Sequence, residues 1–135
     1  MAANATAADL EDRWRDILTV HARTLCEIDR ALHPHGLGAS DFEVLDLLAA
    51  EAPRHGDQCR VQNLVGRVHL SQSALSRLIG RLEKDGLVER SVCAEDRRGV
   101  YVSLTAKGRG VYAEVLPLQR AALERGLGQE PNQET

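Results

Sequence analysis

No apolar run in this chain approaches the roughly 20 residues of a membrane span, which argues against a membrane-crossing helix. The alanine-rich start, MAANATAADLEDR, has neither the basic n-region nor the apolar h-region of a secretory signal. The expectation is a cytoplasmic protein with no membrane partner. Cysteine is scarce, and Cys26, Cys59 and Cys93 are odd in number with no metal-like spacing, so they read as reduced thiols rather than a disulfide frame. The five histidines show no H-x-x-x-H spacing and no clustered acid or thiol partner, so neither a metal nor a cofactor is expected. No nucleophile–base pair is recognisable, which argues against an enzyme. Internal repeats are absent, and the start is the one low-complexity segment.

What is present suffices for one domain: 135 residues, 43% of them apolar, can bury a core. The net charge of −3 looks wrong for a protein that meets nucleic acid, but it is unevenly spread. Arg54 to Arg109 holds 11 Lys and Arg against 6 Asp and Glu, while the remainder holds 6 basic and 14 acidic residues. Phosphate binding depends on the local patch rather than the total, and the acidic part is expected to face away.

The chain is organised around Leu70 to Leu104. Ser71 is a natural N-cap. Behind it Leu75, Leu78, Ile79 and Leu82 share one helical face, and Ser73, Ser76, Arg77, Gly80, Arg81 and Lys84 share the other. Asp85-Gly86 stops the helix, because glycine takes the left-handed conformation without a Cβ clash. Val88, Arg90 and Val92, then Val100, Val102 and Leu104, alternate as two strands covered on one side. The turn between them carries Asp96, Arg97 and Arg98. A helix with a small polar and basic face, followed by an arginine-tipped hairpin, has the parts needed to grip a duplex.

The run SQSALSRLIGRLEKDGLVER, then DRRGVYVSLTAKG, resembles the signature of the multiple antibiotic resistance regulator (MarR) family of winged helix-turn-helix transcription factors. Its D-x-R wing element falls on Asp96 and Arg98, and its L-T-x-x-G on Leu104, Thr105 and Gly108. A weaker likeness extends over residues 10 to 126. The resemblance implies a mainly α (α+β) fold, a winged helix-turn-helix over 40–104 flanked by dimerisation helices at 9–32 and 105–126. Residues 1–8 and 127–135 are expected to be loose.

Elsewhere the pattern is helical. Leu18, His21, Leu25, Ile28 and Leu32 follow the spacing of a helix seam, with Trp14 and Ile17 extending its apolar face. Core packing within one subunit would explain the seam, and the resemblance implies a dimer interface instead. His33-Pro34-His35-Gly36 breaks this helix. Ser40 and Glu43 have capping-box spacing for a helix running to about Glu51, with Phe42, Val44, Leu45, Leu47 and Leu48 inward. A loop over Pro53–Cys59 and a short helix over Val61–Val68 lead into the recognition helix. Thr105 caps a last helix that Pro117 should kink. Beyond Gly126 the sequence is polar, where the family usually continues into another helix.

The residues assigned to DNA are Ser71, Gln72, Ser73, Ser76, Arg77, Arg81 and Lys84 on the helix, with Asp96, Arg97 and Arg98 on the wing. Gln pairs bidentately with adenine and Arg with guanine, and small residues at a helix start allow close approach. The resemblance implies that Arg98 enters the minor groove while Asp96 orients it. It also implies a small aromatic or phenolic effector, with Trp14 and His21 as candidate contacts, although a tryptophan and a histidine at this spacing are more often packing residues. The expected function is a bacterial, homodimeric repressor on a pseudo-palindromic operator. The alternatives are a winged-helix protein-interaction module without DNA binding, and a thiol-based redox-sensing repressor. Against the latter, Glu27 beside Cys26 disfavours a thiolate.

Overall fold

The computed structural model describes residues 4–55, 59–92 and 100–128. Helix α1 spans Ala7–Leu32, two residues ahead of the expected start. A capping box explains the difference. The Thr6 hydroxyl accepts from the Asp9 amide, and the Asp9 carboxylate accepts from the Thr6 amide at 3.2 Å, which holds that carboxyl below its ordinary value. A 3₁₀ turn at His33–His35 ends in Gly36 at φ +76°, where the absence of a Cβ matters.

Helix α2 spans Ala39–His55. Its start corrects the expected capping box. Ser40 lies inside the helix, and the first amides are satisfied by other side chains: Gly38 donates to Asp41 Oδ2 and Ala39 donates to Asp29 Oδ1, both at 2.8 Å. The helix also runs past Glu51 and through Pro53, where a loop was expected. A proline forfeits one hydrogen bond, and that cost is small near a helix end.

Strand β1 (Cys59–Arg60) was not anticipated, since two residues carry no periodicity. It pairs antiparallel with β3 (Val100–Leu104), which also pairs with β2 (Val88–Val92), giving the sheet order β1-β3-β2. Helix α3 covers Val61–Val65, shorter than expected, and residues 66–70 turn the chain into α4, Gln72–Lys84. The last helix, α5, is capped by Thr105 and spans Ala106–Leu127, continuing through Pro117.

The core is built from the faces that the periodicity singled out: Phe42, Val44, Leu45 and Leu48 of α2, Leu64 of α3, and Leu75, Leu78, Ile79 and Leu82 of α4. The hairpin meets this core only at its base. Val88, Val102 and Leu104 are buried, whereas Val92 and its cross-strand partner Val100 are exposed. The expected one-sided cover therefore stops partway along the described part of the hairpin.

The α1 seam divides in the same way. Thr24, Ile28 and Leu32 are buried within the subunit, and Leu10, Trp14, Ile17, Leu18 and Leu25 are exposed. The division falls where α5 ends against α1. A Cβ on Gly126 would lie 2.6 Å from Thr24 Cα, and Arg23 donates two bonds to the Gly126 carbonyl at 3.0 and 2.9 Å.

Candidate nucleic-acid interface

Helix α4 is fixed at both ends by its own sequence. At its start the Ser71 hydroxyl accepts from the Ala74 amide at 3.1 Å. At its end Gly86, at φ +80°, donates to the Glu83 carbonyl and Leu87 donates to that of Leu82, the paired bonds of a Schellman stop. The L-T-x-x-G element locks this stop onto α5. Thr105 donates from its amide to the Leu87 carbonyl and from its hydroxyl to that of Gly86, and Lys107 Nζ donates to the Asp85 carbonyl at 2.9 Å. A Cβ on Gly108 would fall 2.0 Å from the Leu87 carbonyl oxygen, so only glycine permits this approach.

With four leucine and isoleucine side chains buried, the opposite face of α4 is turned outward. Ser71, Gln72, Ser73, Ser76, Arg77, Arg81 and Lys84 are all exposed and share that surface. Ser71 and Ser73 place their hydroxyl oxygens 3.4 Å apart at the helix start. Arg81 differs from the rest, because its guanidinium is held by the buried Asp41 carboxylate in two bonds of 2.9 and 2.6 Å. That bond raises the Arg81 pKa further above its ordinary value.

Between α4, α3 and the sheet lies a hollow of about 430 Å³, lined by Gln72, Ser76 and Ile79 with Arg60, Gln62, Arg90 and Val100. Arg60 and Arg90 thus join the outward face of α4, a placement missed in the sequence. Arg90 donates to Glu83 Oε1 at 3.1 Å, and its Nη2 comes within 3.3 Å of where a Gly80 Cβ would stand. Arg60 owes its place to β1, for which the sequence carried no signal. Asp96, Arg97 and Arg98 lie outside the described residues.

The other candidates lie on α1. Trp14 and His21 are both exposed. A shallow hollow farther along, lined by Ala22, Leu25, Cys26, Asp29, Arg30, His33 and Pro34, includes neither. Cys26 is exposed, with Arg30 Nη2 3.7 Å from its sulfur. Glu27, expected to oppose a thiolate, turns instead to Arg125 at 2.8 Å, which holds its carboxyl below the ordinary range. Among the described residues no group of three or more His, Cys, Asp and Glu side chains is placed to hold a metal, and no helix is long and apolar enough to cross a membrane.

The MarR family model matches residues 35–99, from the end of the 3₁₀ turn to the wing. AbsC, a MarR family transcriptional regulator from Streptomyces coelicolor, is 30% identical in sequence, with a TM-score of 0.81 over 96% of this chain and 86% of that one. The chain belongs to the MarR family. A second MarR family regulator of Streptomyces coelicolor, solved in complex with DNA, is 26% identical, with a TM-score of 0.81 over 98% of this chain and 82% of that one. The transcriptional regulator MhqR of Bacillus subtilis is 28% identical over 97 residues, which are 72% of this chain and 63% of MhqR. The mostly helical fold with its small antiparallel sheet is the winged-helix fold of these MarR structures. This family consists of DNA-binding transcriptional regulators, and its members' work is recognition rather than catalysis.

Proposed function

We propose that the protein is a homodimeric regulator that binds a pseudo-palindromic operator, each α4 entering a major groove and each wing the flanking minor groove. The observation that carries this reading is the division of α4 into a fully buried apolar face and an outward face of serine, glutamine, arginine and lysine. Gln72, Ser73, Ser76 and Arg77, exposed in the first two turns, read base edges in this proposal, and Ser71 brings the helix start close to the backbone. Lys84, near the helix end, takes a phosphate. Arg98 enters the minor groove, Asp96 orients it, and Arg97 takes a phosphate.

The second copy is supported by the bare stripe of Leu10, Trp14, Ile17, Leu18 and Leu25 on α1, a contiguous apolar surface of the kind that marks a protein interface. A dimer sets two recognition helices at a fixed separation, which is why the operator repeats with two-fold symmetry. Repression follows from occlusion of the promoter by the bound dimer. A small aromatic effector acts by preferring the dimer geometry in which the two helices no longer match adjacent grooves, and it shifts the equilibrium only as far as its affinities for the two geometries differ.

Selection of DNA from a random-sequence library, followed by footprinting and titration across salt concentrations, tests the reading. A symmetric footprint and an affinity that falls steeply with salt are expected. Retention of no sequence above scrambled DNA would overturn it in favour of a protein-docking module.

A further inference from the structure

The recognition helix carries a guanidinium that is already committed. Asp41, at the start of α2, has a side chain only 4% exposed, and both of its oxygens are occupied. Oδ1 accepts from Arg81 Nη2 at 2.6 Å, and Oδ2 accepts from Arg81 Nη1 at 2.9 Å and from the Gly38 amide at 2.8 Å. A two-pronged arginine–carboxylate pair fixes orientation as well as distance. The cap and stop of α4 fix its two ends, and the fork adds a directional tie from its outward side to the start of α2. Next to it, the Ala39 amide donates to Asp29 of α1 at 2.8 Å, so the start of α2 is tied to α1 on one side and to α4 on the other.

From this geometry we infer that Arg81 is a positioning residue: through Asp41 it sets the rotation at which α4 is presented, and it does not itself grip DNA. The inference rests on the DNA-binding reading and alters one assignment within it. Moving Arg81 to a phosphate would leave a nearly buried carboxylate without its ionic partner, and an uncompensated buried charge is costly. Lys84, one turn nearer the helix end, has no such carboxylate among the described residues and stays available to the backbone of DNA.

The test compares Arg81→Gln, Asp41→Asn and the double variant with the unaltered protein, each titrated with the library-selected DNA and with a scrambled duplex at several salt concentrations. Asp41→Asn keeps the volume and an acceptor for the Gly38 amide. Each single change is expected to weaken selected DNA about tenfold, the double change to cost no more than either, and the salt slope and scrambled-DNA affinity to hold. A salt slope lowered by about one in Arg81→Gln, with scrambled DNA weakened equally, would show a phosphate contact and overturn the inference. A lowered melting temperature with an unchanged preference for selected over scrambled DNA would also overturn it, leaving the pair merely structural. If Asp41→Asn does not fold, the half-exposed Arg81→Gln decides alone by its salt slope. If the unaltered protein shows no salt-dependent binding, the DNA reading fails first and the inference falls with it.

Discussion

Helices α1 and α4 are both strongly amphipathic, and the subunit treats them in opposite ways. All four large apolar side chains on the buried face of α4 are inside the core, so its polar face is what it offers to a partner. Along the first half of α1 the apolar side is the one left bare: Leu10, Trp14, Ile17 and Leu18 are exposed. The same kind of helix thus presents opposite chemistry, according to whether its neighbours within the chain have covered the greasy face. A charged duplex suits the first, and a second copy of α1 and its surroundings suits the second.

The widest separation between the two should come from matched truncations. Leu75→Ala on α4 removes a fully buried side chain and should cost about 2–5 kcal/mol of unfolding free energy at any protein concentration. Leu18→Ala on α1 should leave the isolated subunit within about 0.5 kcal/mol, while lowering the stability that grows with concentration. Denaturant unfolding at two concentrations tenfold or more apart measures both. A Leu18 variant whose loss is the same at both would mean that α1 is not an interface.

The legibility of the two helices differed for the same reason. The α4 pattern was readable because its apolar partners lie close by in the same domain and its cap and stop are local. The α1 seam was readable as a seam, but periodicity does not say which part α5 covers. That depends on Gly126 meeting Thr24 from about 100 residues away in the chain. The helix start lies ahead of the Ser40–Glu43 pair because the Asp41 carboxylate takes the Gly38 amide, two positions earlier at the same spacing, and Asp29 from α1 takes that of Ala39. Strand β1 has too few residues for any period, so Arg60 went unnoticed. The Arg81–Asp41 pair was invisible because nothing local links residues 40 positions apart.

The polar face of α4 and its wing are sharpened by charge removal. Arg98→Ala should weaken operator binding by about 1–3 kcal/mol with unchanged helical circular dichroism. Normal binding at physiological salt would remove the wing from the interface. Arg77→Ala should cost about 1–3 kcal/mol at one operator position and relax preference there. Lys84→Ala should weaken operator and scrambled DNA alike and lower the salt slope by about one. If Arg77→Ala weakens scrambled DNA as much as operator, Arg77 holds phosphate, and specificity belongs to Gln72, Ser73 or the shape of the site.

The smallest expected effect lies at a joint between the two regions. Tyr112 of α5 stacks on Phe42 of α2 with ring centroids 5.7 Å apart, and its hydroxyl donates to Asp46 Oδ1 at 2.5 Å. Burial and the Asp46 carboxylate push the Tyr112 pKa up to about 12 from an ordinary 10. The folded state therefore holds this proton where the unfolded chain releases it. Stability from the bond is fully present below pH 10 and is lost as pH rises from about 10 to about 12. Tyr112→Phe keeps the ring on Phe42 and removes the proton, so the gap in unfolding free energy between variant and unaltered protein should narrow over that window. Because Tyr112 is only half-buried, the change should be a fraction of what Leu75→Ala costs. Urea titrations of both proteins at pH 8, 10 and 11.5 measure it. A gap that stays constant across the three would mean that the hydroxyl does not hold α5 to α2, leaving the ring stack and its apolar neighbours to join the two helices.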